Sequence, residues 1–200
     1  MTALILVDIQ NDFLAFGALE VPDGNAVIAV ANEIMPQYDI VVATQDWHPA
    51  NHGSFAANHP WRKPGQIIDL HGLPQMLWPI HCVQDSYGAL FAKDLDTTKI
   101  TKIFQKGTDV TIDSYSGFYD NGHRKSTGMG EYLQAQGVTD VTVMGLATDY
   151  CVKFTALDAL TFGFRTTFLE RGSRGVNLQP DDVANAINEM ADKGIIVIGH

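Results

Sequence analysis

Continuously apolar runs alternate along this chain with segments of helical spacing, and that alternation restricts it to an α/β fold. Residues 3–7 read as a strand, residues 25–35 as a helix and residues 39–44 as a second strand, the order of a βαβ unit. Val27, Val30, Ala31 and Ile34 make one apolar stripe, and Asn25 stands where it can cap the helix. Ile40, Val41 and Val42 leave no polar face, as a parallel strand covered on both sides should. The pattern continues with a weak strand at 100–104, a short helix at 129–136 ended by Gly137, and a strand at 141–144. That strand leads into a helix through Val152, Ala156, Ala159 and Leu160, and a further strand follows at 165–169. Pro180, Asp181 and Asp182 open a last helix with the stripe Val183, Ala186, Ile187 and Met190, before a closing strand at 195–198. The predicted architecture is a three-layer α/β sandwich, Rossmann-like, with a mainly parallel central sheet and helices on both faces. Its 200 residues suit a single domain spanning 1–200. Residues 48–80 are the exception: rich in His, Pro, Asn and Gly and without periodicity, they read as a long loop insertion, which in a compact domain is usually functional.

A formal net charge of −10 repels phosphate backbones and anionic lipid, so neither nucleic acid nor a membrane surface is expected as a partner. A small-molecule substrate fits better. The apolar run after Met1 is too short for a signal peptide and lacks a basic leader, and no transmembrane stretch follows. Only Cys82 and Cys151 are present, too few for a disulfide framework, so two free thiols in a reducing cytoplasm are expected. The sequence is compatible with a homo-oligomer but does not require one.

In a parallel sheet, ligands bind beyond the carboxyl ends of the strands. Asp8 follows the first strand, Asp46 and His48 the second, Lys106 the third, and Cys151 the fourth after a short loop. Gly145 breaks that fourth strand and sets Cys151 in the first helical turn, where unpaired N–H groups and the positive helix end favour a thiolate and can hold an oxyanion. Taken singly, a lone cysteine is more often a small buried apolar residue, an aspartate a turn or cap, and a lysine a solvated charge. Their convergence on one edge points to chemistry instead. Lys106 would favour the thiolate and Asp8 would move protons.

A second cluster is DWHPANH, from Asp46 to His52, with His81 downstream. Residues two apart in an extended segment face alike, so Asp46 and His48 can present a carboxylate and an imidazole together, with His81 as a third ligand. Such a set suits zinc first, with iron(II) or manganese(II) as alternatives, and leaves positions for water. His52 is open between a further ligand and a partner that orients one. Trp47 and Trp61 are expected to pack, Cys82 to be small and buried, and His59, His71, His123 and His200 to be surface or structural.

The segments LILVDIQNDF, DWHP, WPIHCVQ, KG at Lys106 and GLATDYCV, in that order over nearly the whole chain, resemble the nicotinamidase (pyrazinamidase) group of the isochorismatase-like cysteine hydrolase superfamily. The resemblance implies a catalytic triad of Asp8, Lys106 and Cys151 and one divalent metal held by Asp46, His48 and His81. It implies a cis bond between Leu146 and Ala147, with the backbone amides of Ala147 and Cys151 forming an oxyanion hole, and an aromatic substrate pocket of Phe13, Trp78 and Tyr115. The activity implied is hydrolysis of nicotinamide to nicotinate and ammonia through a cysteine thioester, a step of NAD salvage. Some members place a further metal-binding histidine farther beyond the DxH pair than His52 lies here, so His52 is not carried over. Two other readings stand beside this one: a hydrolase of a carbamoyl or ureido amide, and a non-catalytic binding protein that has kept the fold.

Overall fold

In the computed structural model, which describes residues 1–199, six strands form one sheet in which every pairing is parallel. In chain order they are β1 (Thr2–Val7), β2 (Ile40–Asp46), β5 (Lys102–Lys106), β6 (Asp140–Leu146), β7 (Arg165–Arg174) and β8 (Ile196–Ile198), arranged as β5-β2-β1-β6-β7-β8. Helix α1 (Ala26–Ile34) follows β1, α2 (Met129–Ala135) precedes β6, α3 (Lys153–Thr161) follows it, and α4 (Asp182–Asp192) precedes β8. His200 lies outside the described residues. Among the described residues no helix is long and apolar enough to cross a membrane.

Side chains of β1 show why helices cover both faces. Leu4 and Leu6 enter a core with Val27, Ala31 and Ile34 of α1, whereas Ala3, Ile5 and Val7 enter a second core with Leu133 of α2, Ala156 and Ala159 of α3 and Met190 of α4. A central strand apolar on both faces can be satisfied only by two covering layers.

Strand order turns this packing into a site. From β1 the chain builds outward to β2 and β5, then returns to add β6 on the opposite side of β1. The reversal opens a crevice at the carboxyl ends of β1 and β6, where ligands bind in such sheets. Register supplies the rest, because Asp46 pairs with Lys106 across β2 and β5.

Several expectations need correction. Asp46 and Lys106 are the last residues of their strands rather than loop residues beyond them. Asn25 does not cap α1; its Oδ1 accepts the Ala15 N–H at 2.9 Å and pins the preceding loop. Trp61 is 98% exposed and packs against nothing, whereas Trp47 does pack on the core. The 48–80 insertion is not all loop: β3 (Ile67–Leu70) and β4 (Leu73–Met76) form an antiparallel hairpin. Its turn residues His71 (φ 51°) and Gly72 (φ 88°) both take positive φ, as the tight two-residue hairpin turn demands.

Gly145 does not break its strand as expected: it lies within β6, paired with Val7, and marks a register irregularity toward β7, with φ 126°; a Cβ there would lie 2.2 Å from the Val7 carbonyl oxygen. Gly145→Ala should therefore lower stability by about 3 kcal/mol, combining backbone strain with overpacking in a sheet that cannot yield. Urea unfolding should show a lower midpoint at unchanged slope; an unchanged midpoint would mean that the β1–β6 contact gives way freely.

Candidate active site

Lys106 is the centre of the crevice. It is 2% exposed, and its Nζ donates to Asp46 Oδ1 at 3.0 Å, to the Ser114 carbonyl at 2.9 Å and to Cys151 Sγ at 3.4 Å. The same nitrogen lies 2.9 Å from Asp8 Oδ2, in a charge contact bent away from hydrogen-bond geometry that leaves this oxygen without a hydrogen-bond donor. Burial works against the ammonium charge, but Asp46 and Asp8 outweigh it and hold Lys106 well above the usual lysine range.

Asp8 is fully buried, and Thr44 Oγ1 donates to its Oδ1 at 2.6 Å, which fixes the carboxyl plane. Burial raises its pKa and Lys106 offsets only part of that, so Asp8 is a stronger base than an ordinary carboxylate. Cys151 lies in a π-helical turn, Thr148–Val152, between β6 and α3, a distortion that often marks functional sites. Its thiol is pushed well above the usual range by burial, against the pull of Lys106. The helix end and Lys106, both expected to favour the thiolate, therefore work against burial, which keeps the resting group a thiol. The Leu146–Ala147 peptide bond is cis.

Asp46, His48 and His81 converge beside Lys106. His48 Nε2 and His81 Nε2 lie 3.0 and 3.4 Å from Asp46 Oδ2. The other ring nitrogens face carbonyl oxygens, His48 Nδ1 that of Gly107 at 2.9 Å and His81 Nδ1 that of Pro79 at 2.8 Å. A carbonyl only accepts, so both Nδ1 atoms carry hydrogen, and in the neutral rings both Nε2 lone pairs aim at a carboxylate oxygen. Such a set needs positive charge between its members. A proton on His48 can supply it, since Asp46 raises its pKa against the effect of burial, and a divalent cation would satisfy all three groups at once. The donor set therefore fits a metal.

His52 belongs elsewhere. The Ser54 N–H donates to its Nδ1 at 3.1 Å, so the neutral ring carries hydrogen on Nε2, a buried atom with no partner. Its ring sits against His48 at 4.3 Å, and its nitrogens group with His48 and Asp113 rather than with Asp46 and His81.

Phe13, Trp78 and Tyr115 line a narrow pocket that also contains His81, Asp46, Ala147 and Cys151. Sequence reasoning missed Tyr150, Asp113 and Val176 in its wall. Tyr150 follows Asp149 in the cysteine motif and stacks edge-on against Trp78 at 4.9 Å. Gln10 was missed as well, though it sits in LILVDIQNDF. Its side chain donates to the Asp46 carbonyl and accepts the Asp46 N–H, each at 2.8 Å, clamping that strand end in place. Asp12 accepts the Cys82 N–H at 2.7 Å and so anchors the segment beside His81. Cys82 itself is fully buried.

A family model described as "Isochorismatase domain" matches residues 2–200. The chain is 50% identical over 199 residues to the nicotinamidase of Escherichia coli, an alignment covering 96% of this chain and 92% of that one. A solved structure of an Acinetobacter baumanii nicotinamidase/pyrazinamidase superposes with a TM-score of 0.95 at 42% identity, covering 98% of this chain and 95% of that one. A pyrazinamidase of Pyrococcus horikoshii in complex with zinc superposes at 0.80 with 36% identity, covering 100% and 99%.

Because burial keeps the Cys151 thiol protonated, its alkylation in a Cys82→Ala background should climb about tenfold per pH unit through the neutral range. Lys106→Met should slow it further at every pH. Iodoacetamide labelling followed by mass spectrometry measures both, and a rate flat across neutral pH would indicate a preformed thiolate instead.

Proposed function

The chain belongs to the isochorismatase family, and from that premise we propose that it is an amide hydrolase converting nicotinamide to nicotinate and ammonia through a thioester on Cys151. The observation that carries this reading is one ammonium, Lys106 Nζ, in contact with Cys151 Sγ, Asp8 Oδ2 and Asp46 Oδ1, of which Cys151 and Asp46 line an aromatic pocket. The names of its relatives supply the substrate.

Asp8 takes the thiol proton through Oδ2, the oxygen without a hydrogen-bond donor. Lys106 stabilises the sulfur anion as it forms, so a raised resting pKa is compatible with a reactive nucleophile. Sγ adds to the amide carbon, and the backbone N–H groups of Ala147 and Cys151 hold the oxyanion, each worth about 3 kcal/mol. Asp8 returns its proton to the leaving nitrogen, the C–N bond breaks, and ammonia departs from a thioester. Asp8 then deprotonates water, which attacks the thioester carbon and expels Sγ; Asp8 returns that proton to the thiolate, and the acid leaves as nicotinate by losing its own proton to solvent. Phe13, Trp78 and Tyr115 hold the ring against the nucleophile. Asp46, His48 and His81 would hold one divalent cation, and the chemistry it would supply is a Lewis-acid site for the pyridine nitrogen that orients the substrate. Zinc is the first choice because the Pyrococcus horikoshii pyrazinamidase was solved in complex with it, and iron(II) and manganese(II) share the same nitrogen and oxygen preference. The convergence of Asp46, His48 and His81 also favours this reading over a carbamoyl or ureido substrate, which has no ring nitrogen to coordinate. We read residues 1–200 as one domain acting in the cytoplasm in NAD salvage.

Cys151→Ala should abolish ammonia release, a loss of about a thousandfold or more, with the circular dichroism spectrum unchanged, while Cys82→Ala stays active. A folded Cys151→Ala chain that kept a substantial part of the activity would end the thioester mechanism.

Chelation, or His81→Ala, should strip bound metal and weaken nicotinamide binding by about tenfold or more while Cys151 still alkylates. Elemental analysis beside calorimetry reads both quantities. Benzamide, which lacks the ring nitrogen, should bind poorly to the metal-loaded protein. Equal affinity for benzamide and nicotinamide would remove the orienting role.

A further inference from the structure

The β3–β4 hairpin reaches the substrate pocket through one side chain. Gln75 of β4 is 3% exposed and outside the pocket wall, yet its Nε2 donates to Asp113 Oδ2 at 3.0 Å and lies 3.3 Å from the Tyr115 hydroxyl. Asp113 and Tyr115 both line the pocket. The same amide nitrogen donates to the Met76 carbonyl at 2.7 Å, which fixes the side chain against its own strand. Tyr115 also accepts the Trp78 indole N–H at 3.2 Å, so the position of Gln75 is passed on to a second aromatic wall. Asp113 is held from the other side by the Ser114 N–H at 2.8 Å, and the Ser114 carbonyl is the one that Lys106 grips. The two hydrogens of this buried amide nitrogen are directed at the Met76 carbonyl and Asp113 Oδ2, with the Tyr115 hydroxyl alongside, so the glutamine acts as a clamp through its nitrogen. Deleting it leaves Asp113 Oδ2 short of a donor and the Tyr115 hydroxyl held by Trp78 alone.

We propose that Gln75 is a positioning residue that sets specificity: by holding Asp113 and Tyr115 in place it keeps the pocket narrow enough to admit an unsubstituted six-membered ring and to reject ring-substituted amides. The inference rests on the nicotinamide reading of the pocket. Discrimination against one extra methyl is worth roughly ten- to two-hundredfold in a wall that cannot yield, and less in one that can.

The test compares nicotinamide with 5-methylnicotinamide on the metal-loaded chain. Gln75→Ala should raise the KM for nicotinamide about tenfold, leave kcat within about threefold, and shrink the preference for the unsubstituted ring about tenfold, because the clamp acts on binding and not on the triad. Gln75→Glu should be worse than Gln75→Ala, since it sets a carboxylate against Asp113. Gln75→Glu combined with Asp113→Asn, which reverses donor and acceptor, should recover much of the preference. Tyr115→Phe reads the clamp from its far end and should relax the preference without adding to Gln75→Ala; it also decides the matter if Gln75→Ala does not fold. A kcat/KM that falls equally for both amides, or does not change, overturns the proposal, as does a double variant no better than Gln75→Glu alone. If the wild-type chain releases no ammonia from nicotinamide, the function reading fails by itself. The clamp is then judged by calorimetry of the two ligands on Cys151→Ala protein with and without Gln75→Ala, where an unchanged affinity ratio, or no binding of either ligand, overturns it.

Discussion

A single ammonium, sealed from water and touching two carboxylates and a thiol, is the interaction on which this site depends. Moving such a cation into a protein interior costs several kcal/mol unless its partners are already in place. Here they are: Asp8 and Asp46 arrive from the ends of adjacent strands, β1 and β2, and the Ser114 carbonyl closes the remaining direction. Each partner in turn needs the cation. Without Lys106, two buried carboxylates would face each other and a desolvated thiol, and one or more would have to take up a proton. The cluster is neutral enough to be buried only as a whole.

Burial of this cluster follows from the sheet. Parallel strands with continuous apolar faces must be covered on both sides, so their ends are the only places where polar groups can meet without crossing a core. The reversal of strand order between β1 and β6 leaves a crevice there, and the paired register of Asp46 with Lys106 puts opposite charges side by side before any loop contributes. Gly145 has the same logic at the neighbouring strand. It lets the chain pass within contact of Val7, next to Asp8, before the segment that carries Cys151 to Lys106.

Much of this was legible in the sequence, and the limits have physical causes. Six strands and four helices announce themselves because a doubly covered parallel sheet writes its burial directly into continuous apolar runs. Asp8, Lys106 and Cys151 stood out because each follows such a run. The hairpin was not legible: β3 and β4 are four residues each, mostly exposed or half-buried, and one contains Pro74, so they carry no period. Gln75 and Asp113 were hidden for the same reason, since their importance lies in contacts across 38 residues of chain and not in any local pattern. Gln10 lay inside a recognised motif, yet only the structure gives it its work of clamping Asp46 at both backbone groups. The extent to which burial opposes the thiolate was not legible either: the sequence places Cys151 at a helix end near a lysine, and only the structure shows the thiol fully buried, where desolvation raises its pKa against the pull of Lys106.

Asp46 ties the two halves of the site together. Its Oδ1 accepts from Lys106 while its Oδ2 faces the imidazoles of His48 and His81, so the same carboxylate belongs to the charge cluster and to the set that fits a metal. A cation held at Oδ2 would draw electron density from Oδ1 and weaken the grip of Asp46 on Lys106. The ammonium would then have more to give to Asp8 and to Cys151 Sγ, its other neighbours. The groups expected to orient the substrate and those expected to attack it are thus adjacent branches of one buried electrostatic network, and Gln10, by fixing the Asp46 backbone, holds the junction between them.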